Sequence, residues 1–532
     1  MKKNIIRIPA MVCLMTVIMG SCTKKLDLFP QNDVTSEVVY STAKGYKESL
    51  AKIYGSMALT GNTGPAGAAD VFFPGSDEGA NADFFRSYWK AQELSTDEAV
   101  IAWGDAGIQD FHNMNWTSSN QFLTGVYYKS LYQITLVNEF LRQSIDGKLT
   151  SRNISGTDAD AIRKYRPEVR FLRAYQYWVL MDLFGNPPFV TEENVIGGPN
   201  PAQIARTDLF TYVESELKAI EADLPAPKTN EYGRADQAAA WALLARIYLN
   251  AEVYTGSPKY TEAVTYSKKA IDAGYTLSND YRQLMLADNN LNKNEFIFTI
   301  NYDGTKTQGY GGTTFLTHAS VGGSISASSA GVNSGWSGLR TTKAFVQKFP
   351  DPSGATDTRA QFYKSGQNLD IAIQTTFTEG YAITKYRNVT RTGAPGPNDV
   401  FVDIDMPVFR LPEMYFIYAE AVKRGGAGGD VTQAVTYMNA IRTRAFGNTN
   451  GNINSIDLTL QFILDERSRE LYWEGFRRTD LIRYKQFTED TYLWPWKGGV
   501  AGGTGAESYR NIYPLPSADI NANINLVQNP RY

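Results

Sequence analysis

Two neighbouring stretches, QAAAWALLARIYLNAEVYTG from Gln237 and PKYTEAVTYSKKAIDAGY from Pro258, restrict the fold more than anything else in the chain. Each carries apolar residues at helical spacing, and only a short turn separates them. Small residues alternate with bulky ones. Ala239, Trp241, Leu244, Ala245 and Tyr248 can therefore face Tyr260, Ala263, Tyr266 and Ala270 at close range, as ridges fit grooves between packed helices. This spacing predicts an antiparallel helical hairpin. A looser copy at 411–445 sets Tyr418, Ala419 and Ala421 against Ala434, Tyr437 and Ile441. One hairpin cannot bury its own apolar face, so such units stack. The long interval between the copies predicts a solenoid broken by inserts.

Further amphipathic stretches supply more scaffold. Val34 to Leu59 repeats apolar residues at helical spacing (Val38, Val39, Tyr46, Leu50, Ile53, Tyr54, Met57), and helices are expected over Gly125–Ser144, Arg163–Phe184 and 208–224. Leu460 to Gln486 reads as one last long helix. Its Glu466, Arg467, Arg469, Glu470, Glu474, Arg477 and Arg478 interleave opposite charges beside Tyr472, Trp473 and Phe476. Mixed charge usually marks a solvated face. So many arginines beside aromatic rings favour partly buried ion pairs that lock inserts together, over any catalytic role. The fold class expected is mainly α: a tetratricopeptide-like helical-hairpin scaffold over about 33–60, 121–275 and 406–490, with loop-rich inserts at about 71–120 and 276–405.

Composition narrows the function. A formal charge of -3 leaves no basic footprint for nucleic acid. Having only His112 and His318, with cysteines only at 13 and 22, argues against a zinc site of the usual His/Cys kind, and no cofactor is expected. Lys2, Lys3 and Arg7 precede an apolar run, Ile8–Met19, too short to span a bilayer. Gly20, Ser21 and Cys22 follow, and the group resembles a bacterial lipobox, with Met19 where leucine is usual. The expectation is a signal peptide over 1–21, a lipidated tether over 22–32 beginning at Cys22, and a single body over 33–532. More than one acyl chain makes such an anchor stable.

The segment 309–340, GYGGTTFLTHASVGGSISASSAGVNSGWSGLR, has no apolar period and is nearly all Gly, Ser, Ala and Thr. Structureless loops of this length are usually functional or disordered. Tyr310 at its entrance and Trp336 near its exit suit an adaptable binding surface, in which rings give rigid area and small polar groups adjust. The alternative is a surface excursion whose rings tuck into the core.

Several segments, in order from end to end, resemble the SusD/RagB family of outer-membrane glycan-binding lipoproteins. They are Cys22 followed by LDLFPQ, PEVRFLRAYQYWVLMDLFGNPPF at 167–189, RADQAAAWALLARIYLNAEVYTG at 234–256, MPVFRLPEMYFIYAEA at 406–421, DERSRELYWEGFRRTDLIRY at 465–484, and the ending YPLPSADINANINLVQNPRY. The resemblance implies a tetratricopeptide-like scaffold, anchorage in the outer membrane by an N-terminal lipid with exposure at the cell surface, and a SusC-like TonB-dependent transporter as partner. It is closer still to the starch-binding member of the family, through ELSTDEAVIAW at 93–103, GYGGTTF at 309–315, SGWS at 334–337 and YLWPWKGG at 492–499. By that resemblance Trp103, Tyr310 and Trp336 form an aromatic arc for an α-1,4-glucan (starch or maltooligosaccharides), with Asp77 and Arg86 as polar partners. Two positions depart from the pattern. Ile101 stands where the starch-binding member has a further tryptophan, and its asparagine after the arc tryptophan is matched only by Asp105.

Three rival readings remain open at this point. A glycoside hydrolase needs two carboxylates flanking the scissile bond, and Asp77 and Asp105 are the candidates. A lid for another glycan or for a peptide needs no starch affinity. The Asp-rich 278–295 stretch could ligate calcium, although its spacing does not fit an EF-hand.

Overall fold

A computed structural model describes residues 35–65, 69–76, 79 and 81–532. The signal segment, Cys22 and its tether, and Asp77 lie outside the described residues. The main helices are α1 (Ala43–Gly55), α2 (Phe84–Glu93), α3 (Gln121–Gln143), α4 (Gly156–Phe184), α5 (Arg206–Ile220), α6 (Gln237–Leu249), α7 (Tyr260–Ile271), α8 (Gly312–Ala319), α9 (Leu411–Lys423), α10 (Val431–Phe446), α11 (Leu460–Leu471) and α12 (Arg477–Arg483). Four short strands matter here: β1 (Val100–Ile101), β2 (Phe296–Ile300), β3 (Leu339–Arg340) and β4 (Met406–Arg410). No helix among the described residues is long and apolar enough to cross a membrane.

The α6–α7 hairpin forms as its sequence requires. Asp236 caps α6 by accepting from the Ala239 amide, and the alanines of α6 are buried. Tyr248 meets Tyr266 at 5.5 Å between ring centroids. The second hairpin, α9–α10, is capped by Asp430 and held by Tyr415 stacked on Tyr437 at 4.4 Å. The two hairpins pack directly on each other through α7 and α9. Ala427 N–H donates to Thr261 Oγ1, and Gly426 lets the chain pass where a Cβ would stand 2.6 Å from the Tyr260 carbonyl oxygen. The solenoid is thus continuous in space although broken in sequence. The insert between the hairpins is closed at its root, because β2 and β4 pair antiparallel with Phe296 opposite Arg410 and Ile300 opposite Met406.

Three expected elements differ. The stretch from Val34 is two helices, Ser36–Val39 and α1, with Thr42 breaking the run to cap α1 through the Gly45 amide. The 309–340 segment is not structureless: it holds α8, a short 3-10 turn at Ala327–Ala330 and β3. Tertiary burial, rather than helical period, selects α8, whose eight residues are all buried.

The expected helix 460–486 is split into α11 and α12, with Trp473 at φ 63° and Gly475 at φ 86°. The amides freed by the break find carboxylates from the other insert. Trp473 N–H donates to Glu98, while Gly475 and Phe476 N–H donate to Glu93. Trp473 Nε1 reaches the Glu98 carbonyl, and its ring packs edge-on to Trp89 at 5.4 Å. The charges of this segment are interior. Arg410 pairs with Glu295, Glu470 and Glu474, Arg359 with Asp357 and Glu466, and Arg477 with Asp97. They join both inserts to the scaffold, as the structural reading expected.

Candidate functional site

The first insert enters the site through β1. It pairs antiparallel with β3, Val100 opposite Arg340 and Ile101 opposite Leu339, and the ladder continues one step as Ala102 N–H donates to the Gly338 carbonyl at 2.8 Å. That register sets Trp103 beside Trp336, two positions that are 233 apart in sequence. Trp103 Nε1 donates to the Trp336 carbonyl at 2.9 Å, and the two rings lie 6.3 Å apart at 45°. Gly338 makes this possible, since a Cβ there would stand 2.7 Å from Cε2 and Cζ2 of Trp103.

The second insert supplies the other end of the row. Chain 336–338 runs along the end of α8, with the amides of Trp336, Ser337 and Gly338 donating to the carbonyls of His318, Val321 and Ala319. At the start of α8, Asp83 fixes the turn. Its carboxylate caps α2 through the Arg86 amide at 2.7 Å and accepts from the Gly312 amide at 3.2 Å. Gly311 lies so close to that carboxylate that a side chain has no room, and burial pushes the Asp83 carboxyl above its ordinary value. Tyr310, just before this turn, sits 6.2 Å from Trp336 at 58°. Its ring also meets Phe401 at 5.4 Å.

Trp103, Trp336 and Tyr310 therefore form a row whose neighbouring ring planes meet at 45° and 58°, and all three are only half-buried. They are not sealed in separate interiors. Arg86 lies behind them at 7% exposure: its guanidinium donates to the Tyr310 and Gly79 carbonyls and stands 5.5 Å from the Trp103 ring and 5.9 Å from the Trp336 ring. Asp105 is exposed, in the turn two residues past Trp103. Ile101 is wholly buried in β1, so this position adds no exposed ring.

Sequence reasoning missed four participants. Phe315 lies under Trp103 at 5.9 Å and under Arg86 at 4.6 Å. Phe401 backs Tyr310. Gln109 donates from Nε2 to the carbonyls of Ile101 and Trp103, fixing β1's exit. His318 stacks on Trp336 at 4.7 Å and 21°. Phe315 and His318 stand three apart, a helical spacing, but glycine, serine and threonine around them hid it. The Asp-rich stretch offers no such convergence, since Asp280 is paired with Arg282 and Asp288 with Arg391. Among the described residues no three His, Cys, Asp or Glu side chains are placed to hold a metal. Two clefts of about 240 and 300 Å³ that share Tyr232 in their walls are lined by none of the three rings. The three rings are part-exposed rather than enclosed in either cleft.

Comparison with known proteins agrees with this architecture. A model of the SusD family matches residues 352–532, and one described as "Starch-binding associating with outer membrane" matches 79–249. The chain is 36% identical to the starch-binding protein SusD of Bacteroides thetaiotaomicron, over 98% of each chain. It is 25% identical to SusD-like protein P2 of Formosa agariphila, over 72% of this chain and 77% of that one. Among solved structures, surface glycan-binding protein A of Bacteroides fluxus superposes with a TM-score of 0.70 at 21% identity, covering 92% of this chain and 100% of the other. The Bacteroides thetaiotaomicron protein of the same name, in complex with laminarihexaose, gives 0.67 at 20% identity, covering 91% and 99%.

Proposed function

This chain belongs to the SusD family, and from that premise we propose that it is a non-catalytic, lipid-anchored protein of the cell surface that captures starch or maltooligosaccharides on the Trp103–Trp336–Tyr310 row and passes them to a SusC-like TonB-dependent outer-membrane transporter. The observation that carries the proposal is the convergence of three half-buried rings, from distant parts of the chain, into one row with successively turned planes.

The chemistry follows from the sugar. A pyranose has an apolar face of C–H groups and a rim of hydroxyls. A ring laid on that face removes apolar area from water without stranding a donor, and each ring contributes roughly 1–2 kcal/mol. A flat row suits the extended ribbon of a β-1,4-glucan, whereas planes that turn from ring to ring suit the natural coil of an α-1,4-glucan. Asp77 and Asp105 are taken as polar partners of the sugar hydroxyls, since a carboxylate accepts stronger hydrogen bonds than a neutral group, while Arg86 holds Tyr310 from behind the row. Association costs several kcal/mol of lost freedom, so short oligomers bind weakly and chains spanning all three rings bind better. The relative named for starch binding supports the choice of glycan.

Calorimetry with a cyclic maltooligosaccharide and a cellooligosaccharide of equal length tests the reading. Binding of the first and little of the second is expected. Equal affinity removes the argument from curvature, and no retention on insoluble starch points instead to another glycan or a peptide. Release of reducing ends from amylose would overturn the non-catalytic assignment.

A further inference from the structure

His318 lies in α8 directly beneath Trp336, and both of its ring nitrogens face carbonyl oxygens. Nδ1 is 2.7 Å from the Ser334 carbonyl and Nε2 is 2.9 Å from the Val400 carbonyl. A carbonyl only accepts. A neutral imidazole has one N–H and one lone pair, whereas the imidazolium has two N–H donors. Two such short contacts are met together only by the imidazolium. The other histidine shows the contrast: His112 Nε2 accepts from the Ile101 amide at 3.1 Å and the ring also bonds the Leu94 backbone, so one donor and one acceptor suffice. Burial holds His112 neutral, with its pKa lowered to about 3.

We propose that His318 is a positioning residue of the aromatic row: when both its nitrogens are protonated it clamps the Ser334 and Val400 carbonyls and supports the Trp336 ring stacked on its face. The clamp reaches two of the three rings. Ser334 precedes Trp336 by two residues, and Val400 precedes Phe401, whose ring backs Tyr310. The imidazolium also lies nearly parallel to the Trp336 indole, where a cation is attracted to the ring face. This extends the proposed function by giving the same shelf a dependence on pH, and it rests on that reading for its effect on glycan.

The charges around this corner are few. Asp399, beside Val400, favours the protonated ring. Arg86 and Lys90 come from α2, the first near Trp336 and the second 5.6 Å from the Phe315 ring one turn along α8. Neither α8 nor residues 320–338 carry any other charged group. Burial draws the imidazole below its ordinary value, and the two carbonyls and Asp399 act against it. The proton is therefore lost as pH rises through a value below the ordinary ~6.5 of histidine. One nitrogen then presents a lone pair to a carbonyl, and that side of the clamp opens.

The test uses the intact chain labelled with ¹⁵N only in histidine, where just two imidazoles contribute. At about pH 5 the His318 nitrogens should both show protonated shifts, and at about pH 8 only one, while His112 stays neutral throughout. Maltoheptaose affinity should weaken by roughly three- to tenfold over the same interval, the worth of one hydrogen bond. H318Q, which can donate from one nitrogen only and carries no charge, should bind at the high-pH level at every pH. A lone-pair nitrogen on His318 from about pH 5 to pH 8 overturns the proposal, and so does an H318Q variant with the unaltered protein's pH dependence. Two protonated nitrogens without maltoheptaose binding at any pH would keep the clamp and remove the glycan reading instead.

Discussion

Gly338→Ala isolates the packing that builds the row. Gly338 is not in the left-handed region, so alanine fits its backbone and the effect is purely steric. The new methyl would stand 2.7 Å from Cε2 and Cζ2 of Trp103 and 2.9 Å from Nε1, against about 3.5–4.0 Å for an ordinary carbon contact. Relief must come from one side, by about 1 Å. The main chain is held by the Gly338 amide on Ala319 and by the Ala102 amide on the Gly338 carbonyl, both at 2.8 Å. The ring moves instead, and the Trp103–Trp336 hydrogen bond is strained or lost. Overpacking of this kind costs about 1–3 kcal/mol. One displaced platform out of three should weaken maltoheptaose binding by about five- to tenfold. Denaturant unfolding reads the first number and calorimetry the second. Trp103→Phe added to Gly338→Ala should recover stability without recovering affinity. A Gly338→Ala protein with unchanged unfolding midpoint and unchanged affinity would refute the reasoning.

Trp336→Ala removes the central ring and should weaken maltooligosaccharide binding by about tenfold or more, with Trp103→Ala/Trp336→Ala together abolishing it in calorimetry. Arg410→Gln leaves Glu295, Glu470 and Glu474 buried with one counter-charge fewer, so the unfolding free energy should fall by about 3–5 kcal/mol in urea titration; a smaller loss than 1 kcal/mol would show the network is dispensable. Burial and the neighbouring Asp97 raise Glu98 to about 7 from 4.5, against the pull of Arg477. Its folded state holds the proton more tightly than the unfolded one, so this stabilisation is full below about 4.5 and is lost as pH rises through about 7. Glu98→Gln should flatten that slope and be more stable than the unaltered protein at about pH 8. A slope unchanged by the substitution would remove Glu98 as its source.

The scaffold was legible because its signal is local. Alternating small and large residues in α6 and α7 state the hairpin without help from the rest of the chain, and the structure adds Asp236 and Asp430 as the caps of α6 and α10. The elements that were misjudged take their conformation from distant partners. α8 is a helix because Asp83 pins its first turn and its whole surface is buried. The break at Trp473 exists because Glu93 and Glu98 receive the freed amides. At the site, Tyr310 and Trp336 could be picked out as rings beside glycines and Trp103 through the family resemblance, but their supports could not. Gln109, Phe315, Phe401 and His318 matter only through contacts that sequence separation conceals, and Arg86 stands mostly behind the shelf, holding Tyr310 by its carbonyl.

The central claim is that three rings, Trp103 from one insert and Tyr310 and Trp336 from the other, act as one curved sugar platform. A crystal structure of the protein soaked with a cyclic maltooligosaccharide tests this most directly. The account predicts successive glucose units laid with their C–H faces on Trp103, Trp336 and Tyr310. Sugar bound at another surface, with the three rings left bare, would contradict it.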